Sequence, residues 1–132
     1  MNAGDVLRQF WWRTVSRMPL GRNSKACRRG LELLKSNLKP DQLHDFLTYR
    51  RFDVVGGVTA RTYRICLGGT MNVKELHPDG WCVRRLCFFP EGQLVPGDVL
   101  LAQKVALEVF ETEALAVANK LPTYRSLADA PG

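Results

Sequence analysis

The sequence predicts an α+β fold with short N-terminal helices, a small antiparallel sheet of three or four strands, and a long C-terminal helix packed on one face. Two observations predict it. The apolar residues follow a helical period up to about residue 50 and alternate from Phe52 onwards. A helical period then returns after the Pro-Gly-Asp sequence at 96–98. The 132 residues are enough for one hydrophobic core without disulfides or metals.

Three short helices are predicted before the sheet. In residues 5–18 the apolar side chains recur every three or four positions and the arginines lie largely outside that stripe, which predicts a basic amphipathic helix. A similar stripe in residues 27–38 predicts a second helix. Pro40 suits the first turn of a third helix, because its fixed φ is helical and an N–H is not needed there.

Turn sequences separate the predicted strands. Glycine pairs at 56–57 and 68–69 and the HPDG sequence at 77–80 supply the backbone conformations that tight turns need. The predicted strands are residues 52–55, 62–67, 72–76 and 81–89. The longest of them is apolar on both faces, which is typical of a central strand. One helix is then expected from Asp98, its N-cap, to about Leu121.

Positive charge is concentrated at the N-terminus. Residues 1–39 hold nine Lys and Arg against two acidic residues, a net charge of +7, whereas the whole chain has a net charge of +6. We therefore predict three parts: a basic helical segment at 1–37, an α+β core domain at 38–121 and a loose tail at 122–132. Such asymmetry is typical of an arm that meets nucleic acid, an anionic membrane surface or an acidic protein. The candidate contacts in this arm are Arg13, Arg17, Arg28 and Arg29.

Aromatic residues extend the candidate binding surface. Trp11 and Trp12 are adjacent, so on a helix they point about 100° apart and one of them is expected to be exposed or to contact a partner. A basic and aromatic surface on the sheet could bind single-stranded nucleic acid. The alternative is that long arginine stems only cover exposed sheet. The candidate residues on the sheet are Tyr63, Arg64, Trp81, Arg84 and Arg85.

No stretch of the sequence has the spacing of a catalytic, cofactor or metal site. Cys82 and Cys87 fall on opposite faces of one predicted strand, whereas structural zinc needs four converging ligands. Together with Cys27 and Cys66 they include no CxxC pair, and we expect reduced structural thiols in a cytoplasmic protein. A thiol paired in space with His44 or His77 stays open as an alternative. No apolar run approaches the roughly 20 residues that cross a bilayer.

The acidic residues of the last predicted helix have a simpler interpretation. Lys104 and Glu108 are one helical turn apart and can form an ordinary ion pair. Glu111 and Glu113 follow on the same helix. We expect this group to form a solvated helix face and not an acid/base site, since a site requires convergent geometry.

The order of motifs from Phe52 to Asn119 resembles a small domain family found in bacterial and phage-encoded proteins without an assigned activity. In that family a YRI strand is followed by an NV pair, a C-x-x-P strand end, a P-x-D helix start, LAQK and a glutamate-rich helix ending in AN. The resemblance covers residues 38–119 and implies the fold but no mechanism. The matching residues are Tyr63, Arg64, Ile65, Asn72, Val73, Cys87, Pro90, Pro96, Asp98, Leu101, Ala102, Gln103, Lys104, Glu108, Glu111 and Asn119.

These observations favour a small non-catalytic interaction or accessory module whose partner the sequence does not identify. The first alternative is a nucleic-acid-binding protein that uses the basic arm for phosphate contacts. The second is an enzyme with a site that sequence patterns do not reveal. No cofactor and no membrane span are expected, and contact of the arm with a membrane surface is the least favoured partner.

Overall fold

The computed structural model describes residues 25–89 and 95–122, and in these ranges the chain forms four helices and five strands. The α+β class is confirmed. The helices are α1 (Lys25–Ser36), α2 (Pro40–Tyr49), α3 (Pro96–Val109) and α4 (Glu111–Val117), and the strands are β1 (Arg51–Val55), β2 (Thr62–Cys66), β3 (Val73–Leu76), β4 (Cys82–Cys87) and β5 (Asn119–Pro122). The predicted helix at 5–18 and nearly all of the predicted tail lie outside the described residues.

The strands form one antiparallel meander in the order β1-β2-β3-β4-β5. The prediction of three or four strands is therefore wrong, because Asn119–Pro122 forms a fifth strand. The sequence pattern assigned most of these residues to the last helix. Ala118 ends the helix with an extended conformation, φ −68° and ψ 140°. The next residues then pair with β4 from Cys87↔Asn119 onwards, so that β4 is an inner strand and its backbone groups are covered.

The predicted long C-terminal helix is two helices that meet at Phe110, whose φ of −127° and ψ of 42° are not helical. In an uninterrupted helix the carbonyl of Leu107 would accept a hydrogen bond from the amide of residue 111. Here it accepts one from the Gly57 amide at 3.1 Å. A turn between β1 and β2 thus supplies the missing donor, which allows the helix to end. The start also differs, because Val95 and not Asp98 is the N-cap.

The hydrophobic core lies on one side of the sheet. Each described helix contributes a buried side chain to it: Leu34 of α1, Phe46 of α2, Leu100 of α3 and Ala114 of α4. The strands contribute the alternate side chains that point towards the helices: Phe52, Val54, Tyr63, Ile65, Val73 and Leu86. Residues 25–89 and 95–122 therefore form two layers, a helical layer and the sheet, and none of their helices covers the opposite face of the sheet.

Helix α1 is expected to be part of the folded unit, because Leu34 is fully buried in the core and Gly30 packs against α3. The boundary between residues 37 and 38 stays a prediction that a pair of fragments tests. We expect a fragment of residues 25–122 to unfold cooperatively in urea, as followed by circular dichroism. A fragment of residues 38–122 should be less stable by at least about 3 kcal/mol, the scale of losing a large buried side chain. Equal stability of the two fragments would place the boundary where the sequence put it.

Candidate functional site

The open face of the sheet carries a row of charged residues that lie directly opposite one another. Cross-strand register places Asp53 opposite Arg64, Arg64 opposite Lys74, and Lys74 opposite Arg85. Apart from Arg84, their neighbours in sequence are buried, so alternation points these four side chains away from the core. Adjacent strands are about 4.8 Å apart, and the three cations therefore lie within about 10 Å of one another along the row. We call Arg64, Lys74 and Arg85 the cationic row.

Only one end of the cationic row is neutralised. Arg64 donates from Nε to Asp53 Oδ1 at 2.8 Å and from a terminal nitrogen to Asp53 Oδ2 at 3.1 Å. This bidentate hydrogen bonding raises the pKa of Arg64 above its ordinary value. Lys74 and Arg85 form no ion pair with a carboxylate of the described residues. Since like charges directly opposite each other destabilise a sheet, the row has a local electrostatic cost.

A fourth cation enlarges this face. Arg51 lies on the same side of β1 as Asp53 and pairs with Cys66 of β2. Its guanidinium carbon is 4.9 Å from the centre of the Tyr49 ring, which is 58% exposed. Together these side chains make an open surface with four cations, the Asp53 carboxylate and one exposed aromatic ring. The Asp45 carboxylate of α2 also acts on Arg64. Such a surface favours an anionic ligand.

Cysteine is also present on this face but is poorly suited to act as a nucleophile. The pKa of the Cys82 thiol is raised by its partial burial, which outweighs the opposing effect of Lys74 and Arg85. A raised pKa leaves less thiolate at neutral pH, and the thiolate is the reactive form. All four cysteines belong to the described residues, and none is joined to another by a disulfide.

The sequence-predicted surface on the sheet is divided between its two faces. Arg64 and Arg85 lie in the cationic row, but Tyr63 is fully buried. Arg84 is on the helix-covered side, where it and Arg61 donate to Glu75 Oε1 at 3.1 and 3.3 Å. Lys74 is the member that sequence reasoning missed, because only the strand register shows that it lies between the two arginines.

Trp81 belongs to the hairpin between β3 and β4 and not to the row. Its ring stacks on His77 with the ring centres 4.7 Å apart and an angle of 18° between the planes. The His77 amide also donates to the Trp81 carbonyl at 2.8 Å. The stack therefore closes the hairpin, and the predicted combination of Trp81 with Arg64 in one binding surface has no support in this geometry.

The basic arm is only partly described. Arg28 and Arg29 are exposed on α1, where they border an open groove with Lys25, Glu32, Leu33 and Ser36. Because α1 belongs to the helical layer, these two arginines and the cationic row lie in different layers of the molecule. Trp11, Trp12, Arg13 and Arg17 lie outside the described residues.

Glu111 is the centre of a buried polar network, although the sequence suggested a solvated helix face. Its side chain is fully buried at the start of α4. One carboxylate oxygen accepts hydrogen bonds from the amides of Val58 and Thr59 at 2.9 and 2.8 Å. The other accepts from the Thr59 hydroxyl and from the Tyr63 hydroxyl, the latter at 2.6 Å. Gly56 borders the same carboxylate so closely that a Cβ there would overlap it.

These hydrogen bonds determine the ionisation of both partners. Burial acts to raise the pKa of Glu111, but the hydrogen bonds from Thr59, Tyr63 and the loop amides outweigh it and hold the pKa at about 2. For Tyr63, burial and then its hydrogen bond to Glu111 raise the pKa well above the ordinary value of 10. A carboxylate that accepts four hydrogen bonds and is closed to solvent is suited to holding the β1–β2 turn on the helices and not to moving protons.

A second buried network holds the β2–β3 connection. Asn72 and Gln103 exchange two side-chain hydrogen bonds, of 2.8 and 3.0 Å. Asn72 also donates to the Cys66 carbonyl, and Gln103 to the Phe88 carbonyl. Lys104 is nearly buried and binds both oxygens of Glu108, at 2.7 and 2.8 Å. Asn72 and Gln103, from the NV and LAQK motifs, therefore fasten the β2–β3 connection and the end of β4 to α3. The Lys104–Glu108 pair lies within α3, and because Lys104 is nearly buried the expected solvated face is wrong here too.

The described part of the chain holds neither a metal-binding cluster nor a membrane-spanning helix. Within residues 25–89 and 95–122, no three His, Cys, Asp or Glu side chains are grouped so that they could hold a metal ion. In the same ranges no helix has the length and apolar character needed to span a bilayer.

The fold and the site together define a class: a small α+β domain with a one-sided helical layer and an open, cationic sheet face. Comparisons with protein-family models, with curated proteins and with solved structures found no match.

Proposed function

We propose that this protein is a non-catalytic interaction module whose open sheet face binds the phosphate backbone of a nucleic acid. The observation that supports the proposal is the cationic row, in which two of three adjacent cations have no carboxylate partner among the described residues. Phosphate contacts by Lys and Arg supply most of the affinity of nucleic-acid binding without sequence specificity.

The dimensions of the row suit a polyanion. Its outer cations are about 10 Å apart, which is roughly the axial rise of three nucleotides in one strand of a duplex. An isolated small anion would neutralise one cation, whereas a chain of phosphates can contact both Lys74 and Arg85, the two cations of the row that have no carboxylate partner among the described residues. Such a ligand also offsets the repulsion between side chains that lie directly opposite each other. Tyr49, beside Arg51, offers an exposed ring on which one base could stack.

Lys74→Glu is expected to make the protein more stable and, at the same time, to weaken nucleic-acid binding. The new carboxylate would lie opposite both Arg64 and Arg85, and each favourable cross-strand pair contributes roughly 0.2–1 kcal/mol. A melting temperature a few degrees higher should accompany at least a roughly tenfold loss of affinity, about 1.4 kcal/mol. Thermal unfolding and fluorescence anisotropy with a labelled 20-nucleotide strand measure the two effects.

Two double variants with the same change in charge separate the sheet face from the basic arm. Lys74→Glu with Arg85→Glu reverses the row, and Arg28→Glu with Arg29→Glu reverses the exposed arginines of α1. The proposal expects a large loss of affinity in the first variant and a small loss in the second. The logarithm of the wild-type binding constant should fall with the logarithm of the salt concentration with a slope of about −1.4, for two phosphate contacts to a single strand.

The opposite ranking of the two variants would favour the basic arm, which is the second candidate for nucleic-acid binding because Arg28 and Arg29 are exposed. Equal, salt-independent binding by all variants would contradict a phosphate-binding function at either place. Binding to anionic vesicles but not to single-stranded or double-stranded nucleic acid would make the ligand a lipid headgroup and would overturn the proposal.

A further inference from the structure

A second surface, in the helical layer, is apolar and exposed. Leu33 of α1, Phe110 at the α3–α4 junction and Val117 of α4 are 50%, 54% and 65% exposed. They border two open grooves of about 500 and 290 Å³ that share Ala102, Ala106 and Phe110 and therefore form one continuous surface. We call it the apolar helical surface; its larger side chains are Leu33, Phe88, Phe89, Leu101, Val105, Phe110 and Val117.

Acidic residues lie at the edges of this surface. Asp98 borders the groove next to Leu33, and Glu113 borders the groove next to Val117. Glu32 precedes Leu33 on α1 but is paired with Lys35 at 3.0 Å, and Arg28 and Arg29 also lie near Leu33. The acidic rim therefore consists of Asp98 and Glu113. An exposed apolar surface with a polar rim is typical of a docking site for another segment or protein. The acidic rim favours a ligand that combines apolar and basic side chains.

We propose that residues 5–18 of this same chain bind the apolar helical surface. The segment has apolar residues at the spacing with which an amphipathic helix fills a groove: Leu7, Trp11, Val15 and Met18. It also carries three arginines and one acidic residue, so its charge is complementary to the acidic rim. Docking would cover apolar area on both partners, and this burial is the main source of binding free energy.

The length of the connection permits docking within one molecule. From Lys25 to Leu33 along α1 the distance is about 12 Å, at 1.5 Å per residue. The six residues 19–24 can extend over roughly 20 Å. The segment can thus reach the nearer groove of its own chain, where a short connection gives an effective concentration on the order of millimolar. This proposal does not depend on nucleic-acid binding by the sheet.

Hydrogen–deuterium exchange of the full chain, read by mass spectrometry of peptides from residues 5–18, tests the proposal. In dilute wild-type protein the amides of this segment should exchange at least about tenfold more slowly than in an unstructured peptide of the same sequence. Val105→Glu and, separately, Phe110→Ser should remove this protection. Leu47→Glu is the matched control, because Leu47 is 51% exposed on α2 and borders neither groove.

Slow exchange of the amides in β2 and β3 shows that a variant remains folded. If one of the two surface variants fails to fold, the other still tests the proposal. Fast exchange of residues 5–18 in the wild type would overturn the proposal. So would protection that survives both surface variants, since the segment would then bind elsewhere. Protection that grows with protein concentration would identify a second copy of the chain as the occupant and would also overturn docking within one molecule.

Discussion

Replacing Glu111 by alanine is expected to destabilise the protein by about 4 kcal/mol or more. The substitution removes the acceptor of four donors: the amides of Val58 and Thr59, the Thr59 hydroxyl and the buried Tyr63 hydroxyl. Hydrogen bonds to a charged group contribute roughly 1.5–3 kcal/mol each, and water entering the opened turn would recover part of the loss. Urea unfolding followed by circular dichroism measures the change in the free energy of unfolding.

Glu111→Gln keeps the shape of the side chain and removes its charge, and it should change the response to acid. In the wild type the pKa of Glu111 is about 2, below the ordinary 4.5. A carboxylate with a lowered pKa contributes stability that is fully present above pH 4.5 and is lost as the pH falls towards 2. The whole shift corresponds to about 3 kcal/mol. We expect the wild type to lose about 2 kcal/mol more stability than Glu111→Gln between pH 5 and pH 2. This is less than the whole shift, because the β1–β2 turn is exposed and water screens part of the interaction.

Glu113→Gln is the matched control, since Glu113 is exposed two residues further along α4. Between pH 5 and pH 2 the free energy of unfolding of Glu113→Gln should follow that of the wild type. Glu111→Gln should be less stable than the wild type at pH 5 and should lose less stability as the pH falls. If both variants follow the wild type over this range, the Glu111 network does not hold the turn on the helices.

The strands are the part of the fold that the sequence predicted best. The predicted segments 52–55, 62–67 and 72–76 agree with β1, β2 and β3 within one residue at each end. Alternation and turn glycines are local signals, and they identified these elements. The predicted strand 81–89 extends beyond β4 at its C-terminal end by two residues, since the apolar run continues into Phe88, which is buried in the core.

The missed features depend on contacts between distant parts of the chain. The helix stops at Phe110 because the Gly57 amide takes the Leu107 carbonyl, and no local signal marks that position. Burial of Glu111 depends on donors 48 to 53 residues earlier in the chain. The pairing that makes residues 119–122 a strand likewise needs β4 as a template.

The candidate site shows the same limit. The sequence identified Arg64 and Arg85 as basic residues of the sheet, but it also placed Arg84 with them. Strand register separates Arg84 from the cationic row and inserts Lys74 between the two arginines. Composition thus indicated that the sheet is basic, whereas the arrangement of charge on a face required the three-dimensional structure.

Gly97→Ala is expected to destabilise the protein by about 2–3 kcal/mol, although alanine is normally the better helix former by about 1 kcal/mol. A Cβ at Gly97 would overlap the carbonyl group of Gly30 on α1. Because the obstructing atoms are backbone, no side-chain rotation can relieve the overlap, and α1 must move away from α3. Chemical denaturation measures the cost, and Thr112→Ala at an exposed position of α4 is the control, with an expected gain in stability.

The facing glycine offers a test of that explanation, because its obstruction is a side chain. A Cβ at Gly30 would overlap a methyl group of Val95, and Asp98 Oδ1 would be 3.3 Å away. Gly30→Ala should therefore be destabilising alone but should regain most of its stability when combined with Val95→Ala, which removes the methyl group. The same Val95→Ala change should not rescue Gly97→Ala. Rescue of both glycine variants, or of neither, would mean that close backbone approach of α1 and α3 is not what requires these glycines.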